Sequence, residues 1–152
     1  MSHTERGSRW VIVQIILLAI VGFSPGQYVE NPLGTILSVT GLTLFIVGAG
    51  IGLIAVRGLG RNLSVFPKPL DDAQLVDSGI YGIVRHPIYS GVILVALGWA
   101  LFRASLIAGI VALGLIIFFD RKAALEERWL TEKFPNYPEY RQRTKKLIPF
   151  IY

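Results

Sequence analysis

The sequence predicts an all-α integral membrane protein: four transmembrane helices, the last two a short hairpin, followed by a C-terminal cytosolic amphipathic helix. Three observations carry that reading. The 152-residue chain is 53% hydrophobic and only 16% charged, with a mean hydropathy of +0.56, more apolar than soluble domains of this size ordinarily are. Four charge-free apolar runs divide it. Of its 15 Lys and Arg, 14 fall before the first run, between the second and third, or after the fourth, and only Arg103 falls elsewhere.

Residues 1–9 are polar and carry Arg6 and Arg9, and Trp10 to Phe23 is uninterrupted by charge. A positive start before an apolar run also fits a secretory signal peptide. No small-x-small cleavage site follows, Gly22-Phe23-Ser24-Pro25 being a poor one, so a retained first helix is expected. Ser24 to Pro32 is a turn-rich connection with Glu30 and no basic residue. Gly34 to Val56 gives 23 residues without a charge, long enough to span with some tilt. Its glycines at 34, 41, 48 and 52 recur on roughly one face, and Gly48 to Gly52 makes a GxxxG, a signature of close helix packing.

The polar connection Arg57 to His86 follows, with Asp71, Asp72 and Asp77 among basic residues. Gly58-Leu59-Gly60 is not a dinucleotide loop, because no strand precedes it and no third glycine falls in register. Ile88 to Phe102 and Leu106 to Phe119 are two more apolar runs, joined by Arg103-Ala104-Ser105. Each is about 15 residues, or roughly 22 Å as helix, against a hydrocarbon core of about 30 Å. They span only if the helices run on beyond their apolar cores or the bilayer thins. Full spanning is expected, with a partly penetrating hairpin as the alternative. From Asp120 the pattern becomes amphipathic: Leu125, Trp129, Leu130 and Phe134 fall at helical spacing opposite a charged face. Pro135 and Pro138 are expected to end that helix.

The partition of basic residues puts both termini and the long middle connection in the cytosol, and four spans agree with that parity. The expected location is therefore an integral position in a membrane, taken to be a prokaryotic plasma membrane. The net charge of +5 is then largely topological, with some attraction to anionic lipid, and nucleic acid is not needed to explain it. The absence of cysteine excludes disulfides, thiolate metal sites and a cysteine nucleophile. Two histidines, His3 and His86, make a histidine-rich metal site improbable, so no metal is expected.

One stretch, Leu75 to Gly91, is polar and aromatic between apolar halves. Pro87 reads as the first residue of a helix, which sets Arg85 and His86 just before an N-terminus whose unpaired N–H groups favour an anion. Tyr81 and Tyr89 add aromatic surface with hydroxyl handles. The stretch suits a pocket for a carboxylate or phosphate and a flat ring; the alternative is that Arg85 and His86 only anchor a helix at the headgroups. The helix after Asp120 emerges on the same side, directly from the fourth run. On it Lys122 and Glu126 share a face, and Glu127 points about a third of a turn away. Adjacent carboxylates are ordinary on a solvated helix, but these lie near the mouth of the bundle. A carboxylate there can take a ligand's ammonium while Arg85, His86 and the helix N-terminus take its carboxylate. An amino-acid-like zwitterion fits. The residues specify no reaction.

The run Leu-Val-x-Ser-Gly-Ile-Tyr-x-x-Val-Arg-His-Pro-x-Tyr-x-Gly, then two short apolar runs, then Glu126-Glu127-x-x-Leu130, Phe134-Pro135-x-Tyr137-x-x-Tyr140 and Ile148-Pro149-Phe150, resembles the isoprenylcysteine carboxyl methyltransferase family and the related phospholipid N-methyltransferases. The resemblance covers about residues 57–152, and residues 1–56 match only as two generic spans of one membrane domain. It implies an integral membrane methyltransferase that uses S-adenosylmethionine on a lipophilic, isoprenoid or lipid-like acceptor. By resemblance the cofactor is held by Gln74, Leu75, Val76, Tyr81, the run His86-Pro87-Ile88-Tyr89 and Glu126, beside the Arg85 noted above. The family usually has an arginine before the glutamates to handle the acceptor's carboxylate. This chain offers Arg121 and Lys122, and the spacing of four to Glu126 falls on Lys122, which cannot reproduce a bidentate arginine. Glu127 is the base by position if the acceptor must lose a proton. Two other readings stand beside this one: a nicotinamide-dependent sterol-type reductase, which carries a related Arg-His motif, and a non-catalytic membrane adaptor.

Overall fold

The computed structural model describes residues 7–27 and 29–152; His3 and Arg6 lie outside the described residues. Five helices build the fold: α1 Ser8–Phe23, α2 Pro32–Leu59, α3 Pro87–Phe102, α4 Leu106–Lys133 and α5 Tyr137–Arg143. Among the described residues there is no strand, only an isolated bridge between Val84 and Lys145.

Local chemistry sets the boundaries. Asn31 caps α2 by accepting from the Gly34 amide at 2.9 Å, with Pro32 at the first helical position, where its missing N–H costs nothing. Gly60 ends α2 at φ +52, so Gly58-Leu59-Gly60 is a helix terminus. Helix α3 opens at Pro87, as expected. The three-residue turn 103–105 closes the hairpin, and Ser105 caps α4 by accepting from Ala108 at 3.3 Å. The fourth apolar run and the amphipathic stretch are one unbroken helix of 28 residues, about 42 Å long.

Two expectations are corrected beyond Phe119. The deeply buried side chains there are Lys122, Ala123 and Glu127, whereas Leu125, Trp129, Leu130 and Phe134 are half-buried. The polar face turns inward because the connection before α3 and the C-terminal tail bring it hydrogen-bond partners. Pro138 does not end a helix either; it sits in the first turn of α5, where proline is tolerated.

Glycine holds α2 against α3. A Cβ on Gly98 would lie 2.5 Å from the Phe45 nitrogen and 2.6 Å from the Gly41 oxygen, and one on Gly91 would lie 2.7 Å from the Gly48 oxygen. Seven-residue steps on both helices, 41 to 48 and 91 to 98, bring backbone to backbone. Helix α3 also packs on α4, and α1 packs on α4 and α3, whereas α1 and α2 do not pack extensively on one another. Small residues (Ala96, Ala100, Ala108, Ala112) fill the core around Leu115 and Phe119.

The outward faces of α1, α2 and α4 expose Ile12, Ile16, Ile36, Val39, Ile46, Ile110 and Ile117, a girdle suited to hydrocarbon. Helix α2 is long and apolar enough to cross a membrane by itself, and α1 and α3 are shorter apolar helices. The loop after α1 meets the α3–α4 turn, Gln27 N–H donating to the Arg103 carbonyl at 2.9 Å. All remaining polar structure gathers at the opposite end.

Candidate functional site

At that polar end the Arg85-His86-Pro87 corner is pinned to the tail. The amides of Arg85 and His86 donate to the carbonyls of Lys145 and Lys146 at 2.8 and 3.1 Å, and Ser90 Oγ donates to the Leu147 carbonyl at 2.6 Å. The preceding connection is held by Asn62 Oδ1, which accepts from the Gln74 amide at 2.7 Å, and by Lys133, which reaches the carbonyls of Leu70 and Asp71. Helix α4 therefore lies against both arms of the site.

A cavity of about 310 Å³ opens between these parts, within the range of small-molecule sites, about 300–1,000 Å³. It is lined by every residue of the sequence-derived cofactor set: Gln74, Leu75, Val76, Tyr81, Arg85, His86, Pro87, Ile88, Tyr89 and Glu126. Lys122 lines it too, but Arg121 does not and stands exposed on the outer face. Glu127 also lies off this cavity, on a larger polar groove facing the tail, to which Arg85 contributes as well.

The two glutamates have separate environments. Glu127 Oε1 accepts from Arg85 Nε at 2.8 Å and from His86 Nε2 at 3.2 Å, and both ionic side chains of the first pair are under 10% exposed. Burial raises the Glu127 pKa, but the hydrogen bonds from His86 and Arg85 outweigh it and lower it to about 2. An ionised Glu127 assigns a proton to His86 Nε2. Arg85 also donates to the Arg141 and Thr144 carbonyls, so it is tied to the tail and neutralised by Glu127. Arg85 nonetheless lines the cavity, its Nε taken by Glu127 and its Nη1 by the tail; a buried guanidinium requires a buried partner, and Glu127 is the nearest.

Glu126 faces the cavity. Its Oε2 accepts from the Tyr89 hydroxyl at 2.7 Å and lies 3.7 Å from His86 Nδ1, too far for a hydrogen bond. His86 stacks on Tyr89 with rings 2° from parallel, and Tyr89 stacks in turn on Phe119. Lys122 is 1% exposed. It donates to Gln14 Oε1 at 2.6 Å and to the Val65 carbonyl at 3.2 Å, and it sits over the Tyr89 ring. Burial lowers its pKa to about 8, against a raising effect of Glu126.

Sequence reasoning did not single out Gln14 or Asn62, and it gave Leu130, Phe134, Tyr137 and Tyr140 only as motif positions with no site role; all six line the cavity. Gln14 had a signal: it is the one amide in the apolar run of α1, and such a residue is costly in a membrane without a partner.

The fold and this end of it define a helical membrane protein with a small-molecule cavity where its helices meet the polar connections. A profile of the phospholipid methyltransferase family matches residues 36–137, and the chain belongs to that family. The match begins inside α2, upstream of the stretch from residue 57 that carried the resemblance. The chain is 32% identical over 116 residues to protein-S-isoprenylcysteine O-methyltransferase B of Arabidopsis thaliana, covering 73% of this chain and 58% of that protein. It is 29% identical over 145 residues to the cobalt-zinc-cadmium resistance protein CzcN of Cupriavidus metallidurans, covering 92% and 62%. The chain thus spans about three-fifths of the length of these relatives. Its fold matches the structure of a eukaryotic intramembrane Ras methyltransferase, isoprenylcysteine carboxyl methyltransferase, with TM-score 0.71 and 23% identity over 99% of this chain and 55% of that one.

Proposed function

We propose that the protein transfers a methyl group from S-adenosylmethionine to a lipophilic, isoprenoid or lipid-like acceptor at the cytosolic face of the membrane. The observation that carries this is the single cavity lined by two motifs far apart in sequence, the Gln74–Tyr89 arm and Lys122 with Glu126. Its aromatic walls suit a flat base, and Glu126 suits an ammonium. When bound, the cofactor supplies an electrophilic methyl on a positively charged sulfur. The chain's own part is to orient the two substrates and keep water out.

In this reading Glu126, oriented by the Tyr89 hydroxyl, takes the cofactor's ammonium, and the backbone of Gln74 to Val76 with Tyr81 and Ile88 encloses the rest. Lys122, rather than the exposed Arg121, contacts the acceptor. Glu127 is a positioning residue and not the base, because its proton affinity is far too low and it faces away. The acceptor enters from the bilayer between α1 and α2, which pack little on one another and each give the cavity a lining residue, Gln14 and Val56. The glycine faces are closed by α3 and offer no route. Four spans with both termini in the cytosol complete the proposal, supported by the basic-residue partition.

The test is incubation of the purified protein in detergent with methyl-labelled S-adenosylmethionine and a total lipid extract. Label should appear in a lipid-soluble species. Binding of NADPH with no response to S-adenosylhomocysteine would overturn the reading in favour of a reductase.

A further inference from the structure

Tyr137 lines the cavity at 1% exposure, yet its hydroxyl has no hydrogen-bond partner among the described residues. A buried unpaired hydroxyl costs about 1–3 kcal/mol, so its presence calls for an explanation. The neighbouring tyrosines sharpen the contrast. Tyr140 donates to the Tyr81 carbonyl at 2.7 Å, and Tyr81 donates to the Ala55 carbonyl at 3.2 Å. Tyr137 packs edge-on against Tyr140 but shares none of these bonds.

Its setting indicates what the missing partner is. Glu127, Arg85 and Glu126 all act on Tyr137 electrostatically, and burial raises its pKa, so the hydroxyl keeps its proton and offers it. Of the charged groups nearby, Arg85 Nε is held by Glu127 and its Nη1 by the tail carbonyls, His86 Nε2 by Glu127, and Lys122 by Gln14 and the Val65 carbonyl. Glu126 can only accept. A zwitterion that gives its ammonium to Glu126 still needs a donor for its carboxylate.

We infer that the Tyr137 hydroxyl is that donor, a binding residue that hydrogen-bonds the amino-acid carboxylate of S-adenosylmethionine or S-adenosylhomocysteine. The inference rests on the methyltransferase reading above. In the empty protein the hydroxyl is a stability cost, and ligand binding satisfies it.

Tyr137→Phe removes one oxygen and keeps the ring. Three measurements on the full chain in detergent test the inference: thermal stability without ligand, and affinity for S-adenosylhomocysteine and for 5′-methylthioadenosine, which lacks the amino-acid portion. The variant should melt at or above the wild-type temperature and bind S-adenosylhomocysteine about ten- to a hundredfold more weakly, the scale of a hydrogen bond to a charged group. Its affinity for methylthioadenosine should be unchanged. Unchanged affinity for S-adenosylhomocysteine, equal weakening toward both ligands, or a lower melting temperature of the empty variant would each overturn the assignment of Tyr137. Failure of the wild type to bind either ligand would overturn the methyltransferase reading itself, and the inference with it.

Discussion

Glu126 and Glu127 are adjacent in sequence, and their amide variants should behave as different kinds of residue. Glu127→Gln strips the charge that neutralises Arg85, whose side chain is 8% exposed beside a glutamate that is 6% exposed. Removing one partner of a buried ion pair costs about 3–5 kcal/mol, and because glutamine keeps a hydrogen bond the lower end is expected. Linkage gives a second route to the magnitude. The carboxyl drops from an ordinary 4.5 to about 2, which at 1.36 kcal/mol per tenfold in proton affinity is about 3 kcal/mol. The folded-state pKa is depressed, so this stability is present above pH 4.5 and is lost as pH falls toward 2. Thermal unfolding in detergent, followed by tryptophan fluorescence, should show Glu127→Gln melting roughly 6–12 °C below wild type at pH 7, with the two curves converging as pH falls toward 3. Glu126→Gln keeps an acceptor for the Tyr89 hydroxyl but loses its charge, and should cost less than about 1.5 kcal/mol, while S-adenosylhomocysteine affinity falls about ten- to a hundredfold. A Glu127→Gln protein that melts with wild type and keeps its acid dependence would refute the assignment of Glu127 to structure.

Lys122→Met should melt at or above wild type at pH 7 while turnover falls, because a buried ammonium with a pKa near 8 binds fewer protons folded than unfolded from about pH 8 to 10.5, and wild-type stability should rise across that window. A Lys122→Met protein that loses stability at pH 7 would return this residue to a structural role. Gly98→Ala should destabilise by about 1–3 kcal/mol by driving α2 from α3, whereas Gly50→Ala, whose Cβ meets nothing within 4 Å, should not; equal melting temperatures would contradict the glycine contact. Because the chain has no cysteine, single-cysteine variants report sidedness cleanly: Glu30→Cys should react with an impermeant reagent outside intact cells, and Gln142→Cys only after permeabilisation, the reverse pattern refuting the topology.

Where the sequence was legible, the reason is that the signal was local. The helix start at Pro87, the turn at 103–105 and the apolar runs are set by residues within a few positions of each boundary, and they appear where expected. The face shared by Lys122 and Glu126 is likewise helix geometry, and both residues reach the cavity. What was not legible depended on partners distant in sequence. Arg85 stands beside a helix N-terminus, which suggests an anion site, but its commitment to Glu127 depends on how α4 lies across the corner, 42 residues away. The inward face of α4 looked charged and therefore solvated; Gln14 and Val65 make it a buried polar face, and neither is near Lys122 in sequence. Helix α5 is too short to declare itself by periodicity, and its one proline, Pro138, reads with Pro135 as a stop.

The buried ion pair also explains how one end of the molecule serves two environments. Arg85 borders both the cavity and the groove that faces the tail, whereas Glu127 borders only the groove. The pair, with His86 and the amides pinned to Lys145 and Lys146, is therefore a wall between them. The methyl transfer proposed above needs a site closed to water, and an apolar wall could not also position a polar ligand. Glu126, Lys122 and Tyr137 are among the polar groups that line the cavity beside this wall. In the proposed reading the Arg-His-Pro corner, which itself lines the cavity, also frames those three. That division of labour is why loss of Glu127 should cost stability, and loss of Glu126 should cost binding.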